Sequence, residues 1–170
     1  MLAYRNGDAG AFELLYRRHK DGLYAFLFRH YPRAAVVEEL AQDTWVAVID
    51  AAGRYQAKAR FRTWLYQIAH NKLVDHWRRP DNRHAEFDAK MEATTVDTYL
   101  AAKIESRELE TRVMAALAEL PRDQKDVLLL KEQGFSHAQI AEITSAGTET
   151  VKSRLRYARK QLREQLGEEI

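Results

Sequence analysis

The 170-residue chain contains no cysteine, only three prolines and seven glycines, and no apolar run longer than the six residues Leu23–Phe28. The first absence excludes disulfides, thiolate zinc sites and thiol catalysis, and agrees with a reducing compartment. The second excludes an all-β protein, which needs a turn about every ten residues. Abundant Ala, Leu, Glu, Arg and Gln favour helices instead. The third excludes a bilayer-spanning segment of about 20 apolar residues, and the N-terminus lacks a signal-peptide profile. A cytoplasmic, helical protein without direct membrane insertion is the expectation. Its 46% apolar content suffices for a core, and at about 150 residues per domain the length allows one ordinary domain or two small ones.

Residues suited to enzyme chemistry are also scarce. The six histidines (His19, His30, His70, His76, His84 and His137) never fall three or four apart, and the only acid three residues before one is Asp81 before His84. No H-E-x-x-H, Gly-rich phosphate loop or G-x-S-x-G elbow occurs. No catalytic residue, metal ligand or cofactor is expected; His19 and His30 lie on an apolar face and read as core or interface residues.

The net charge of +2 hides a strong asymmetry. Arg54–Arg79 holds seven Lys/Arg against one acid, and Thr148–Leu166 six against two, whereas Pro80–Glu110 holds eight acids against four bases. Two anion-binding surfaces separated by an acidic connector follow.

Three-four spacing of Phe12, Leu15, Tyr16, His19, Leu23, Phe26, Leu27 and His30 predicts a first helix, with Asp8 as its cap and Pro32 as its end. A second helix runs from about Arg33 to Ala52, with Gly53 as a natural stop. Tyr55–Arg62 reads as a loop before a third helix, Thr63–Arg79, with Leu65, Ile68, Ala69, Leu73 and Trp77 facing inward. Pro80 to about Ala102 reads as a linker, 23 residues that reach about 75 Å when extended. Beyond it, Leu109–Leu120 and Asp123–Gln133 predict two helices, the latter finishing at Gly134. Ser136-His-Ala-Gln139 has the form of a capping box ahead of a short helix, and Thr148 is placed to cap a last one. The fold class is therefore all-α: two small helical domains joined by a flexible acidic linker, with boundaries 1–79, 80–104 and 105–170.

Short helix, break and long basic helix from Ser136 to Leu166 have helix-turn-helix spacing. On the last helix Val151, Leu155, Ala158, Leu162 and Leu166 form an anchoring arc, and Lys152, Arg156, Arg159, Lys160 and Arg163 occupy the next one. Such cations suit phosphates and base edges; a merely solvated basic face has the same spacing. Earlier, Tyr55, Phe61, Trp64, Tyr66 and Trp77 alternate with Lys58, Arg60, Arg62, Lys72, Arg78 and Arg79. Rings among cations suit single strands. Composition leaves open whether the rings stack on bases or fill the bundle, except that Trp77 falls on the apolar arc.

The chain resembles a bacterial sigma factor of the extracytoplasmic-function (ECF) group. Val37-Glu-Glu-Leu-Ala-Gln-Asp-Thr-Trp45 is similar to that family's A-E-D-L-V-Q-E-V-F, and Phe61-Arg-Thr-Trp-Leu-Tyr-Gln-Ile-Ala-His-Asn71 to its F-R-T-W-L-Y-R-I-A-x-N. Leu120-Pro121, Ser136–Ile143 and Thr150-Val-Lys-Ser-Arg-Leu155 resemble L-P, S-x-x-E-I-A-x-I and T-V-K-S-R-L. Thr144-Ser-Ala-Gly-Thr-Glu149 departs from the usual L-G-I-P-V-G, and Tyr157 stands where Arg is common.

The resemblance implies an N-terminal region two and a C-terminal region four, with no further domain between them. Glu39, Gln42 and Asp43 would dock on the clamp coiled coil of core RNA polymerase. Arg60, Phe61, Trp64, Asn71, Lys72 and Asp75 would engage the −10 promoter element, where a flipped base is held in a pocket. Lys152, Ser153, Arg156 and Arg159 would read the −35 element. An anti-sigma factor is the implied regulatory partner. An activator or repressor with a sensing N-terminal bundle would share the C-terminal half, but has no use for both an acidic docking helix and an aromatic-basic loop.

Overall fold

A computed structural model of the chain describes residues 1–57, 60–79 and 102–167. Of the expected linker 80–104, only 102–104 fall among these. The described residues form helices α1 (Leu2–Arg5), α2 (Ala9–His30), α3 (Ala34–Asp50), α4 (Phe61–Arg78), α5 (Ala102–Glu119), α6 (Arg122–Glu132), α7 (His137–Thr144) and α8 (Thr148–Leu166), and no strands.

In α2 the Asp8 side chain accepts from the Ala11 amide at 3.1 Å, capping the helix as its sequence predicts. Its end follows from Pro32, which forces Tyr31 into extended backbone (φ −142°, ψ 93°). Leu23, Phe26 and Leu27 of α2 meet Val37, Leu40 and Val48 of α3 and Leu65, Ala69 and Leu73 of α4 in a closed interior. Each such side chain contributes about 1.5–3 kcal/mol, so this face sets the three-helix bundle. The short α1 has no counterpart in the sequence reading; it is held by Tyr4 against Phe12 (5.0 Å between rings) and by Arg5, which donates to the Tyr55 carbonyl at 3.0 Å.

Several expected boundaries differ: α4 begins at Phe61, inside the expected loop Tyr55–Arg62, and α5 begins at Ala102, inside the expected linker and ahead of Leu109. Gly53 does not terminate α3 with a left-handed residue. Ala51 stays right-handed, and the chain tightens into a 3-10 turn over Ala52–Arg54, because Ala52 is buried and the last carbonyls accept from Arg54 (3.0 Å) and Tyr55 (3.2 Å). Thr148 is the first residue of α8 rather than its cap. After Ser145 turns left-handed (φ 53°) the chain is already extended at Gly147, which takes the cap position with no side-chain bond.

The C-terminal unit follows the expected pattern otherwise. Gly134 has φ +82° and lets the Phe135 amide turn back to the Leu130 carbonyl at 3.2 Å. The Ser136 and Gln139 side chains form a reciprocal capping box at the start of α7 (3.2 and 2.9 Å). Val151, Leu155 and Ala158 anchor α8 against α6 and α7.

The two units touch: α7 lies against α4 and α6 against α2. Replacing the cap, Ser136→Ala, should lower stability by about 1 kcal/mol, read as a lower urea midpoint with an unchanged slope.

Candidate nucleic-acid interface

On α8, Lys152, Ser153, Arg156 and Arg159 are all exposed, as expected from their arc. With His137, Leu155 and Arg163 the three cations line a shallow groove of about 220 Å³. Lys152 Nζ pairs with Glu149 at 2.7 Å, so the acid peculiar to this turn holds one of the −35 candidates. The Arg156 guanidinium lies over the Tyr157 ring at 5.1 Å. Arg154 behaves differently. It reaches back to Asp123 at 2.8 Å and so braces α8 on α6.

The second surface starts at Arg60, exposed at the head of α4. Behind it Tyr55, Phe61 and Trp64 form one aromatic cluster, with ring centres 4.8 Å (Tyr55–Trp64) and 6.0 Å (Phe61–Trp64) apart, and His19 packs on Phe61 at 5.4 Å. Burial raises the Tyr55 phenol above its ordinary value; burial and then Arg62 and Arg18 lower His19. Tyr55 is buried, while Phe61 and Trp64 are half-buried with part of each ring facing solvent. These rings therefore brace one another and still offer a stacking edge. Trp77 is half-buried between His30 (5.7 Å) and the Arg122 guanidinium (5.2 Å), in keeping with its apolar position. Along α4, Phe61, Trp64, Asn71, Lys72 and Asp75 fall within one arc of about 100°. Asn71 and Asp75 are exposed and Lys72 is half-buried. Lys58 lies outside the described residues.

A third surface lies on α3. Glu39 and Gln42 are exposed, Asp43 is half-buried, and Glu39 sits 3.7 Å from Arg79. Val46 and Ile49 extend the same helical face, exposed at 49% and 42%. Val46 and Ile49 fall outside the core stripe of Val37, Leu40, Ala41, Thr44 and Val48, and apolar residues recurring beyond a filled stripe are the signal that marks them.

Comparison with known proteins decides the family. Residues 15–83 match Sigma-70 region 2 and residues 110–162 match Sigma-70, region 4. Over 99% of its length the chain is 32% identical to RNA polymerase sigma factor CarQ of Myxococcus xanthus, covering 96% of that protein. It is 30% identical to the ECF RNA polymerase sigma-E factor of Haemophilus influenzae, over 93% of this chain and 88% of that one. The chain belongs to the ECF RNA polymerase sigma factors.

Its fold is similar to that of CnrH in complex with the cytosolic domain of CnrY (TM-score 0.72, 24% identity, 98% of this chain and 94% of that one). It is likewise similar to RpoE in complex with the anti-sigma factor NepR from Bartonella quintana (TM-score 0.75, 24% identity, 94% and 99%). As a sigma factor it binds core RNA polymerase and recognises promoter DNA at the start of transcription. Among the described residues no helix is long and apolar enough to cross a membrane, and no group of His, Asp or Glu is arranged to hold a metal ion.

One set of contacts in this sigma factor has no counterpart in the sequence reading. Tyr66 donates to Gln133 Oε1 at 3.1 Å, and Arg62 donates to the Gln133 carbonyl while its guanidinium lies over Phe135 at 4.4 Å. Gln139 donates to Thr63 Oγ1 at 3.2 Å, and His70 Nε2 lies 3.0 Å from Asp126 Oδ2. All four α4 residues lie beside the arc of DNA candidates, on a face covered by the C-terminal unit.

The two arginine roles separate experimentally. Arg159→Ala should lower affinity for a promoter duplex and reduce the slope of log K against log salt by about 1. Arg154→Ala should leave that slope unchanged and lower stability by about 0.5 kcal/mol or less for a partly exposed pair, read as a slightly lower unfolding midpoint. Fluorescence anisotropy across a salt series, with thermal unfolding alongside, checks both.

Proposed function

We propose that this ECF sigma factor divides the promoter between its two units: residues 1–79 hold the polymerase and the −10 element, 105–170 hold the −35 element, and 80–104 connect them. The observation that supports this division is the presence of three surfaces of different chemistry on one chain. An acidic face with apolar neighbours (Glu39, Gln42, Asp43, Val46, Ile49) suits a basic and apolar protein surface. An aromatic-basic edge (Arg60, Phe61, Trp64, with Asn71, Lys72 and Asp75) suits an unstacked strand, where rings contribute about 1–3 kcal/mol per base. A basic helix (Lys152, Ser153, Arg156, Arg159) suits duplex phosphates and groove edges.

In this scheme the aromatic edge holds a flipped base of the melted −10 strand, which repays part of the unstacking cost. Asp75 accepts from base amino groups and Asn71 both donates and accepts. The α8 helix enters the major groove of the −35 duplex with Ser153 and Arg156 toward the bases and Lys152 and Arg159 toward phosphates. The protein acts in the cytoplasm, performs no bond chemistry of its own and is held inactive by an anti-sigma partner; RpoE of Bartonella quintana, similar in fold, is in complex with the anti-sigma factor NepR.

Purified variants with core polymerase and a cognate promoter test the division. Trp64→Ala should reduce open-complex formation by about tenfold while leaving binding of the isolated upstream duplex intact; Lys152→Ala should weaken binding of that duplex and spare melting of a complex already formed. Glu39→Lys with Asp43→Lys should weaken core-polymerase binding several-fold. Equal loss of upstream duplex binding in the Trp64 and Lys152 variants contradicts the division.

A further inference from the structure

The face of α4 next to the DNA candidates is covered by the protein itself, and beside the Tyr66–Phe135 ring contact the cover carries a buried polar cluster. At its centre Asp126 of α6 is buried (6% exposed) between His70 of α4 and His30 of α2. His70 Nε2 stands 3.0 Å from one carboxylate oxygen and His30 Nδ1 3.5 Å from the other. Neighbouring Lys125 donates to the His30 carbonyl at 3.3 Å, and Gln67 donates to the Glu142 carbonyl at 3.4 Å. Every one of these contacts joins residues from opposite sides of the connector. We propose that Asp126 is an intramolecular latch: gripped by His70 and packed against His30, it holds the C-terminal unit shut against α2 and α4, and the free chain must release it before it can span a promoter.

Geometry requires the release, granted the division of the promoter proposed above. Helix α4 packs on α7 and α7 on α8, and at 8–10 Å between packed axes the two DNA-reading helices stand about 20 Å apart. Two duplex sites two helical turns apart are separated by about 70 Å. The closed body cannot touch both; the chain from 80 to 101 is long enough to let it open.

The latch is also incompletely satisfied. Asp126 Oδ1 and both ring nitrogens of His30 are buried without a hydrogen-bond partner, an arrangement that favours the closed state less than a fully bonded one. His30 sits under α6, with Asp126 and Lys125 facing it from α6, His70 facing it from α4, and Phe26 of its own helix against the ring. Burial holds it neutral, down to about 3 from an ordinary 6.5, against the pull of Asp126 and aided by Lys125 and His70. Lifting α6 returns the ring to water, where it takes a proton near 6.5. The open form then binds the extra proton. The closed form is fully favoured above pH 6.5 and loses about tenfold in its ratio to the open form for each pH unit below that, until about 3.

The absence of cysteine makes two introduced labels unique. Arg17→Cys on α2 and Lys160→Cys on α8, both exposed, carry a donor and an acceptor in the full-length chain. High transfer is expected at pH 7.5, with an open-to-closed ratio rising about tenfold by pH 5.5 and a flattened response in His30→Gln. Asp126→Ala and, as a second variant should the first fail to fold, His70→Ala should raise the ratio at pH 7.5 at least several-fold with helix content unchanged. Unchanged transfer in folded Asp126→Ala or His70→Ala overturns the latch whatever the promoter assignment. Lowered transfer with no gain in polymerase or promoter binding keeps the latch and overturns its link to initiation.

Discussion

Eighteen residues of α4 serve three neighbours at once, and the rest of the molecule depends on how that helix is shared. Leu65, Ala69 and Leu73 point into the N-terminal bundle, Thr63, Tyr66, Gln67 and His70 meet the C-terminal unit, and Trp64, Asn71 and Asp75 remain toward solvent. A helix has only 360° to divide, at 100° per residue. Each face is therefore about a third of the circumference, and a residue change on one face displaces the edges of the other two. The solvent-facing edge is kept in place by the neighbouring apolar face, because Leu65, Ala69 and Leu73 are fully buried and fix the rotation of the helix about its axis.

The forces within and between the units differ in their mix. Inside each unit the contacts are mainly aliphatic and aromatic, with each buried side chain contributing about 1.5–3 kcal/mol. Between them the apolar cluster continues through the Tyr66–Phe135 ring pair (4.9 Å), with Arg62 on Phe135 and Arg122 on Trp77, and is joined by hydrogen bonds, each of net value about 0.5–1.5 kcal/mol because water replaces it on opening. Interfaces of that composition are the ones that open while their domains stay folded. Arg62 illustrates the compromise: its guanidinium rests on Phe135 and Tyr66, an attraction that survives in a dry contact, yet its hydrogen bonds to Gln133 are ones water can supply equally well.

Local signals made most of the helical frame legible in the sequence. Asp8, Pro32, Gly134 and the Ser136/Gln139 box act within four residues of where they stand, so composition and spacing suffice to place them. The anchoring stripe of α8 was legible for the same reason, as was the arc that puts Lys152, Arg156 and Arg159 outward. Gly53 and Thr148 misled because burial of Ala52 and the left-handed Ser145 shifted the helix ends, and both depend on packing rather than on residue type. The contact between units was illegible. Tyr66, His70 and Asp126 are ordinary residues at ordinary helical positions, separated by 56 residues or more from their partners, and only the tertiary structure brings Asp126 to two histidines.

Charge explains why specific contacts have to hold the closed body together without long-range help. Closing brings a segment with an excess of six positive charges within two helix spacings of one with an excess of four, and unscreened, that repulsion favours opening. At physiological ionic strength the Debye length is about 8 Å, shorter than the spacing of about 20 Å between the two helices, so most of the repulsion is lost to salt. Neutralisation by acids on the same surfaces removes more: Glu149 on Lys152, Asp123 on Arg154 and Glu39 on Arg79 each place a carboxylate beside a cation. What remains to decide between closed and open is short-ranged, and it concentrates where charge is buried rather than solvated. Asp126 is the only buried carboxylate among the described residues, which is why a near-neutral chain with 27 basic and 25 acidic residues turns on the environment of one of them.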